Sequence, residues 1–588
     1  MKCIGVQICS NPKGCRLTLW YFIAGKEGKL MNVNYSTTRD KTLERLTNEQ
    51  LTNQWNTIDW KNVEKEVNKL QVRIAKAMQN KKYNDVKRLQ YLLTHSFNAK
   101  ALAVRKVTTN KGKNTSGVDK ELWSTPAMKM KAILNLTDKH YKAKPLRRVF
   151  IEKKGKKTRR PLGIPTMYDR AMQALYALAL DPVAEVTADT KSFGFRKGRC
   201  AQDACEYIFT ALSRKFSPKW ILEGDIKGCF DNISHQWLID NIPMDKSILK
   251  EFLKAGFVFE DRLFPTDNGT PQGGIISPIL ANMTLDGIQG EIDKYFHTNS
   301  KGNIDTRIKN INKVNFVRYA DDFIVTANNE EIARKVKEII REFLKTRGLE
   351  LSEEKTCITH IEDGFDFLGW TFRKFNEKLI VKPSKKSIKS FVSELSNTIL
   401  GVGKAWKQEI LIEKLNSQIR GWTNYHQSVV SSETFAHIDY VLFNLLYRWA
   451  KRRHPKKAHK WIIAKYWKTV GTSNWVFATE KTALLRVDHI PIVRHRKVRM
   501  NANPYFDVEY FETRKFEQGM KRLSGRFKVI WKNQKGRCFH CRMPLDVGDD
   551  REIFFKIPKS QGGKECVNNM AYVHSHCNKI YFASHSCK

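Results

Sequence analysis

Residues 314–327, VNFVRYADDFIVTA, place two adjacent carboxylates, Asp321 and Asp322, between short runs of strand-forming residues. Val314, Phe316, Phe323, Ile324 and Val325 favour extended backbone, and flanks this short predict two strands that turn at Ala320, Asp321 and Asp322. A tight turn holds both acids on a rigid platform. Hard divalent cations such as Mg²⁺ take oxygen ligands, and paired Mg²⁺ ions are a common device for phosphoryl transfer. Acids on turns are also ordinary solvated residues, so the remainder of the chain has to decide between these readings.

A second carboxylate element is WILEGDIKGCFD, residues 220–231. Ile221 and Leu222 read as a buried strand with Asp225 at or near its end. An acid in a core-like strand is costly unless it is paired or bound to metal, so Asp225 is the natural third carboxylate. Asp231 reads as a helix cap rather than a ligand. Upstream, PLRRVFIEKKGKKTRRPLGIPTMYDR (145–170) predicts a strand over 147–151, a turn over 153–157, a return strand over 159–164 and a helix over 170–180. Six cations at or beside the hairpin tip suit a clamp on triphosphate charge. Two glycine-bearing loops follow: TKSFGFRKGRCAQDA (190–204), where Gly194 and Gly198 let backbone lie close to a ligand, and NGTPQGGIISPILA (268–281), where Gly273 and Gly274 let it approach a nucleic-acid strand.

The 588 residues correspond to about four domains at ~150 residues each. They carry 104 Lys and Arg against 60 Asp and Glu, a net charge of +44. Such a chain repels itself until a polyanion neutralises it, which points to nucleic acid as partner; 14 Trp and 18 Tyr supply faces for base stacking. Two amphipathic helices, one with Val63, Val67, Leu70, Ile74 and Met78 on its apolar face and one with Val86, Leu89, Leu93 and Phe97, carry Lys and Arg on their other faces. They read as an RNA-gripping N-terminal extension. The 12 cysteines are scattered singly except near the C-terminus, which suggests a reducing compartment and one terminal metal site rather than a disulfide framework. No stretch reaches the ~20 apolar residues of a membrane span; the apolar run 17–24 is too short, and no signal peptide is expected. Met31 is an alternative start of translation.

Taken in order, the blocks 220–231, 268–281, 314–327 and 365–372 (FDFLGWTF), together with RRPLGIPTMYDR, resemble the right-hand polymerase fold of reverse transcriptases. More narrowly they resemble the reverse transcriptase/maturases encoded by bacterial and organellar group II introns, and residues 70–119 are similar to that family's N-terminal extension and first finger block. The resemblance implies an α+β chain: fingers and a palm with an antiparallel sheet, an α-helical thumb or maturase domain, and a small zinc-binding ββα domain. It implies that Asp225, Asp321 and Asp322 hold two Mg²⁺ ions. Phe230 matches the aromatic gate against a ribose 2′-OH, Lys153 and Arg160 the finger residues on the incoming triphosphate, with Lys154 an alternate, and Gln272 the residue beside the template–primer. IRGWTNYHQ (419–427) and RWAKRRHPKK (448–457) resemble the maturase region. Trp422 and Tyr425 read as core packing, and Arg448, Lys451 and Arg452 fall at helical spacing on one side, suited to RNA phosphates.

Residues 537–577 resemble an HNH endonuclease module. Cys538 and Cys541 pair naturally with His574 and Cys577 in a closed tetrahedral Zn²⁺ site, with Cys566 or His576 as substitutes for His574. The nuclease pattern has adjacent histidines where this chain has Phe554 and Phe555, and a closing histidine where it has Asn578; Asn569 is retained. Phenylalanine neither ligates a cation nor accepts a proton, so zinc is expected to be kept and nicking lost.

The expected divisions are a poorly structured tail (1–50), an RNA-binding extension (51–110), fingers and palm (111–384), maturase/thumb (385–485), a basic DNA-binding linker (486–530) and the HNH-like domain (531–588). The expected partners are group II intron RNA, target DNA and dNTPs, with no membrane, in a bacterial cytoplasmic, nucleoid-associated ribonucleoprotein rather than an organelle. Two rival readings remain: an RNA-binding splicing factor without polymerase activity, and a group II-like reverse transcriptase with a defence role.

Overall fold

The computed structural model describes residues 46–152, 159–299, 302, 304, 310–521, 523, 525–545 and 551–585. Of the expected tail, 1–45 lies outside the described residues, as do Cys3, Cys9, Cys15 and Cys587, while a helix already begins at Asn48 (Asn48–Asn56).

The N-terminal extension is three further helices, Trp60–Gln79, Tyr83–His95 and Phe97–Thr109. Asp59 caps the first by accepting from the Lys61 and Asn62 amides. Val63, Val67 and Ile74 are buried on its inner face, whereas Leu70 and Met78 stay half-exposed. This face and that of the second helix pack on the helix Met167–Thr187, into which Gln71 and Gln90 donate side-chain hydrogen bonds at the Leu178 and Ala179 carbonyls. That helix is longer at both ends than the sequence predicts. Thr166 caps its start, and it runs through Pro182 because packing on nearly every side outweighs the lost backbone bond.

In the fingers, β1 (Leu146–Glu152) and β2 (Arg159–Ile164) form the expected hairpin, Ile151 facing Arg160. Its tip, with Lys153 and Lys154, lies outside the described residues. After the palm strand β3 (Trp220–Asp225), β4 (Phe257–Phe259) and β5 (Arg262–Phe264) return to the fingers, where β4 joins β1 in parallel.

The palm sheet adds β6 (Asn315–Tyr319), β7 (Asp322–Ala327) and β8 (Cys357–His360) in the order β6-β7-β3-β8, antiparallel throughout. Phe323, Ile324, Val325 and Ala327 of β7 are all buried, because the helix Glu330–Lys345 covers one sheet face and the helix Ala201–Leu212 packs on β6 from the other. A sheet covered on both faces explains an unbroken apolar run in place of alternation. Phe323, Ile324 and Val325 each contribute about 1.5–3 kcal/mol when buried.

A second sheet, β9 (Phe365–Phe367), β10 (Trp370–Phe375) and β11 (Lys378–Pro383), leads into the thumb helices Lys385–Ser396, Gln408–His426 and Ser432–Arg453. The thumb is helical as expected, but ends in a hairpin, β12 (Trp467–Val470) and β13 (Ser473–Phe477). The C-terminal module is ββα: β14 (Arg551–Phe555), β15 (Met570–His574) and the helix Ser575–His585. No helix among the described residues is long and apolar enough to cross a membrane.

Candidate active site and metal centre

Asp225 ends β3 and Asp322 begins β7, and the two are direct cross-strand partners. Side chains at such positions stand about 5 Å apart at Cβ. Asp321 sits in the connecting turn, which is Ala320–Asp321 and one residue shorter than expected, since Asp322 already pairs with Tyr319. Ala320 has φ 58°, a left-handed conformation that costs a non-glycine residue about 1 kcal/mol. Two contacts hold it there. The fully buried Arg318 donates to the Ala320 carbonyl at 3.2 Å, to Asn282 at 3.1 Å and to Asp286. The loop at Gly194 lies so close that a Cβ there would come within 2.4 Å of the Ala320 nitrogen.

The three acids crowd one another. Burial, then the charges of Asp321 and Asp225, push Asp322 up to about 6. Asp321 is raised by burial and by Asp225, and Arg160 and Lys355 pull it back. The Lys355 ammonium lies 2.5 Å from Asp225 Oδ2, and Ser352 N–H donates to the Asp225 carbonyl at 2.8 Å. One lysine leaves net negative charge on a rigid oxygen cluster, which is the donor set and charge deficit that divalent cations fit.

Around this cluster, Gly228 (φ 54°) turns the chain from β3 into a short helix, Cys229–Asn232. Phe230 lies on it half-buried, edge-on to Phe195 at 6.4 Å. Asp231 is inside that helix rather than capping it, and accepts from Gln272 Nε2 at 3.0 Å. The Gln272 carbonyl in turn accepts from Gly163 N–H at 2.8 Å, tying the 268–281 loop to β2. The neighbours of the loop glycines are the protein's own atoms. Gly273 (φ 110°) abuts the Gly163 carbonyl, Gly274 abuts Ser277 and Gln173, Gly194 abuts Ala320 and Gly198 abuts Phe511. At these four glycines the chain itself fills the space a Cβ would enter, while Gly198 and Gly273 stay exposed to solvent.

In the thumb, Arg448 and Arg452 are exposed on the helix Ser432–Arg453, while Lys451 is half-buried and donates to the Lys457 carbonyl at 2.8 Å. Trp422 stacks on Phe391 and Tyr425 on Trp370, both with ring centroids 4.6 Å apart. Both half-buried rings pack on the core: Trp422 within the thumb, and Tyr425 joining the thumb to β10.

Cys538, Cys541, His574 and Cys577 bring their ligand atoms within 4.8 Å of one another. Cys541 Sγ and Cys577 Sγ lie 3.4 and 3.8 Å from His574 Nδ1. A tetrahedral zinc site with its usual bond lengths has sulfur–nitrogen edges of about 3.5 Å, so the set fits. His574 Nε2 faces the Pro544 carbonyl at 3.2 Å, which orients Nδ1 toward the sulfurs. Burial lowers the His574 pKa, but the Cys538 and Cys541 sulfurs outweigh it and raise it to about 10. Neither suggested substitute joins the set: Cys566 is exposed, and His576 stacks on His574 at 5.1 Å. Phe554 is buried against Phe539, His540 and Tyr581; Asn578 donates to Glu552 at 2.7 Å; and Asn569 spends its amide on Ile557 and Lys564.

The family "Reverse transcriptase (RNA-dependent DNA polymerase)" matches residues 151–372, "N-terminal domain of reverse transcriptase" matches 55–136, and "Group II intron, maturase-specific domain" matches 388–467. The group II intron-encoded protein LtrA of Lactococcus lactis subsp. cremoris is 29% identical over 454 residues, 62% of this chain and 74% of that one. Protein YkfC of Escherichia coli (strain K12) is 31% identical over 307 residues, 46% of this chain and 78% of that one. This chain belongs to the group II intron-encoded reverse transcriptases with a maturase domain. A telomerase from Candida albicans also overlays, at a TM-score of 0.32 and 13% identity over 56% of this chain and 65% of that one.

This reverse transcriptase has site residues that sequence reasoning passed over. Lys355 lies in the LSEEKT stretch, where nothing local marks it; only the 2.5 Å approach to Asp225 does. Arg318 did carry a signal, since an arginine inside a buried strand requires a buried partner; that partner is Asp286.

Proposed function

We propose that Asp225, Asp321 and Asp322 seat two Mg²⁺ ions for nucleotidyl transfer, with the Asp225–Asp322 cross-strand pairing as the observation that carries the reading. When bound, the ions would activate the primer 3′-OH for in-line attack on the α-phosphate and neutralise the departing pyrophosphate. The protein's own contribution is to hold three carboxylates at one end of the palm sheet, two on the β6–β7 hairpin and one on the adjoining β3, against their mutual repulsion. Arg160, whose charge reaches Asp321, and Lys153 at the finger tip bind the incoming dNTP; Lys154 remains an alternate. Phe230 gates the ribose, and Gln272, held by Asp231 and by Gly163, lines the template–primer path. Primer extension on poly(rA)/oligo(dT) tests this. The wild type makes product, and Asp→Asn at 225, 321 or 322 each lowers the rate by about 10³-fold or more, the equivalent of several kcal/mol of lost metal stabilisation. Full activity in any of the three would overturn it, and no product from the wild type would favour a splicing factor with a dormant polymerase.

As a maturase the chain engages intron RNA, and Arg448, Lys451 and Arg452 are placed for its phosphates. In the C-terminal module, Cys538, Cys541, His574 and Cys577 hold a structural Zn²⁺. Strand nicking is lost: Phe554 is part of the module's core, and Asn578 is hydrogen-bonded to Glu552. The module grips target DNA without cutting it, and priming uses nascent strands at a replication fork. Bottom-strand cleavage by the purified ribonucleoprotein would refute the loss of nicking. The proposed setting is a bacterial cytoplasmic ribonucleoprotein.

A further inference from the structure

Residues 495–514 lie between the thumb and the zinc module, within the span 486–530 expected to be a basic DNA-binding linker. They lie docked on the palm, around a carboxylate that has no exposed surface, Asp203. Asp203 Oδ1 accepts from the Val498 amide at 2.8 Å and from the Arg514 guanidinium, and His495 Nε2 lies 2.9 Å away. Oδ2 accepts from the Cys200 amide at 3.0 Å. Cys200, Asp203 and His495 are grouped closely enough for a metal, but the Arg514 cation already occupies the same carboxylate oxygen.

From this node, contacts run without a break to the catalytic turn. Arg514 Nη1 donates to the Gly198 carbonyl at 2.8 Å, and Arg199 donates to the Ala502 carbonyl at 3.1 Å. Arg199 and Arg196 share the buried Glu185, and Arg196 also donates to the Ser192 carbonyl at 2.9 Å. Residues 191–193 then run alongside β6: Phe193 N–H donates to the Arg318 carbonyl at 2.9 Å, and Arg318 N–H to the Lys191 carbonyl at 3.0 Å. Gly194, whose carbonyl accepts from Asn282 at 2.8 Å, is pressed against Ala320.

We propose that segment 495–514 is a positioning element for the polymerase: Arg514, through Asp203 and the 191–200 loop, sets the geometry of the Asp321–Asp322 turn. Docking of the DNA-binding segment and assembly of the metal seat are then one event. A segment that left the palm to follow DNA would loosen the turn and weaken its hold on Mg²⁺. The inference rests on the reading of Asp225, Asp321 and Asp322 as that seat.

The test is a Mg²⁺ titration of both primer extension and thermal melting with full-length Arg514→Gln, Arg514→Lys and His495→Gln. The metal-free melt controls for folding, and the Mg²⁺-dependent rise in melting temperature, which should need more Mg²⁺ in Arg514→Gln, reads the seat itself. In Arg514→Gln the Mg²⁺ concentration for half-maximal rate should rise roughly 10-fold, the scale on which supporting contacts tune metal sites, with KM for dNTP within about twofold. Arg514→Lys, which keeps the charge, should recover part of the shift. If Arg514→Gln melts below the assay temperature, His495→Gln carries the test, with a smaller shift in the same direction. Folded variants with wild-type Mg²⁺ dependence overturn the positioning role while Asp321→Asn still abolishes synthesis; activity surviving in Asp321→Asn would instead overturn the metal seat.

Discussion

Lys355 and Asp225, 130 residues apart in sequence, meet at 2.5 Å at the edge of the acid cluster. Lys355 lowers the pKa of both Asp321 and Asp322. Lys355→Ala should therefore raise both, and the acid limb of the primer-extension pH profile should move to higher pH. A rate-against-pH series at saturating Mg²⁺ checks this, and an unmoved limb in a folded variant would count against it.

The raised Asp322 also makes stability depend on pH. An acid whose pKa is pushed from 3.8 to about 6 on folding favours the fold while protonated, and that contribution fades as pH rises through about 6. Without metal, the melting temperature should fall over that interval. Mg²⁺ should restore it at about pH 7.5 but not at about pH 5, where protons compete for the seat. Asp322→Asn should flatten the metal-free dependence. Melting curves with EDTA or Mg²⁺ read all three outcomes.

Arg318 and Asp286 form a buried ion pair beneath the Ala320–Asp321 turn, and burial pushes the Asp286 carboxyl up even against the pull of the arginine. Removing one partner strands the other's charge, so Arg318→Met should cost about 3–5 kcal/mol in denaturant unfolding. Arg318→Met with Asp286→Leu should recover most of that stability, since apolar replacement of a buried pair is often neutral. It should not recover activity, because Ala320 loses its clamp.

In the C-terminal module, chelation or Cys541→Ser should release one zinc per chain, read by mass spectrometry. Metal binding and folding are coupled in such modules, worth about 10–16 kcal/mol in small zinc peptides. Protease cleavage should then appear within residues 536–585, with the palm protected.

Charge removal on the thumb should act through the RNA phosphates. Arg448→Ala with Arg452→Ala should weaken intron RNA binding and make its salt dependence shallower, by about 0.7 in log–log slope for each phosphate no longer neutralised. A parallel line with unchanged slope would place the RNA on another face.

Much of this was legible in the chain itself. The Ala320–Asp321 hairpin, the β1–β2 hairpin and the Cys538–Cys541 knuckle are local, and their residues announce them by alternation, turn chemistry or spacing. Core positions such as Phe316 and Ile324 follow from the same patterns. Which solitary polar residues are buried together was not legible: Arg318 with Asp286, Arg514 with Asp203 and Lys355 with Asp225 are joined across 32, 311 and 130 residues. The glycines at 194, 198 and 273 advertised close approach but not to what, since a missing Cβ specifies space and never its occupant. Local sequence determined the strands, turns and ligand types, because backbone preference and side-chain chemistry are properties of a few adjacent residues. Only the tertiary structure decided which charges face one another, because the desolvation that makes such pairing obligatory exists only once distant segments have closed over it.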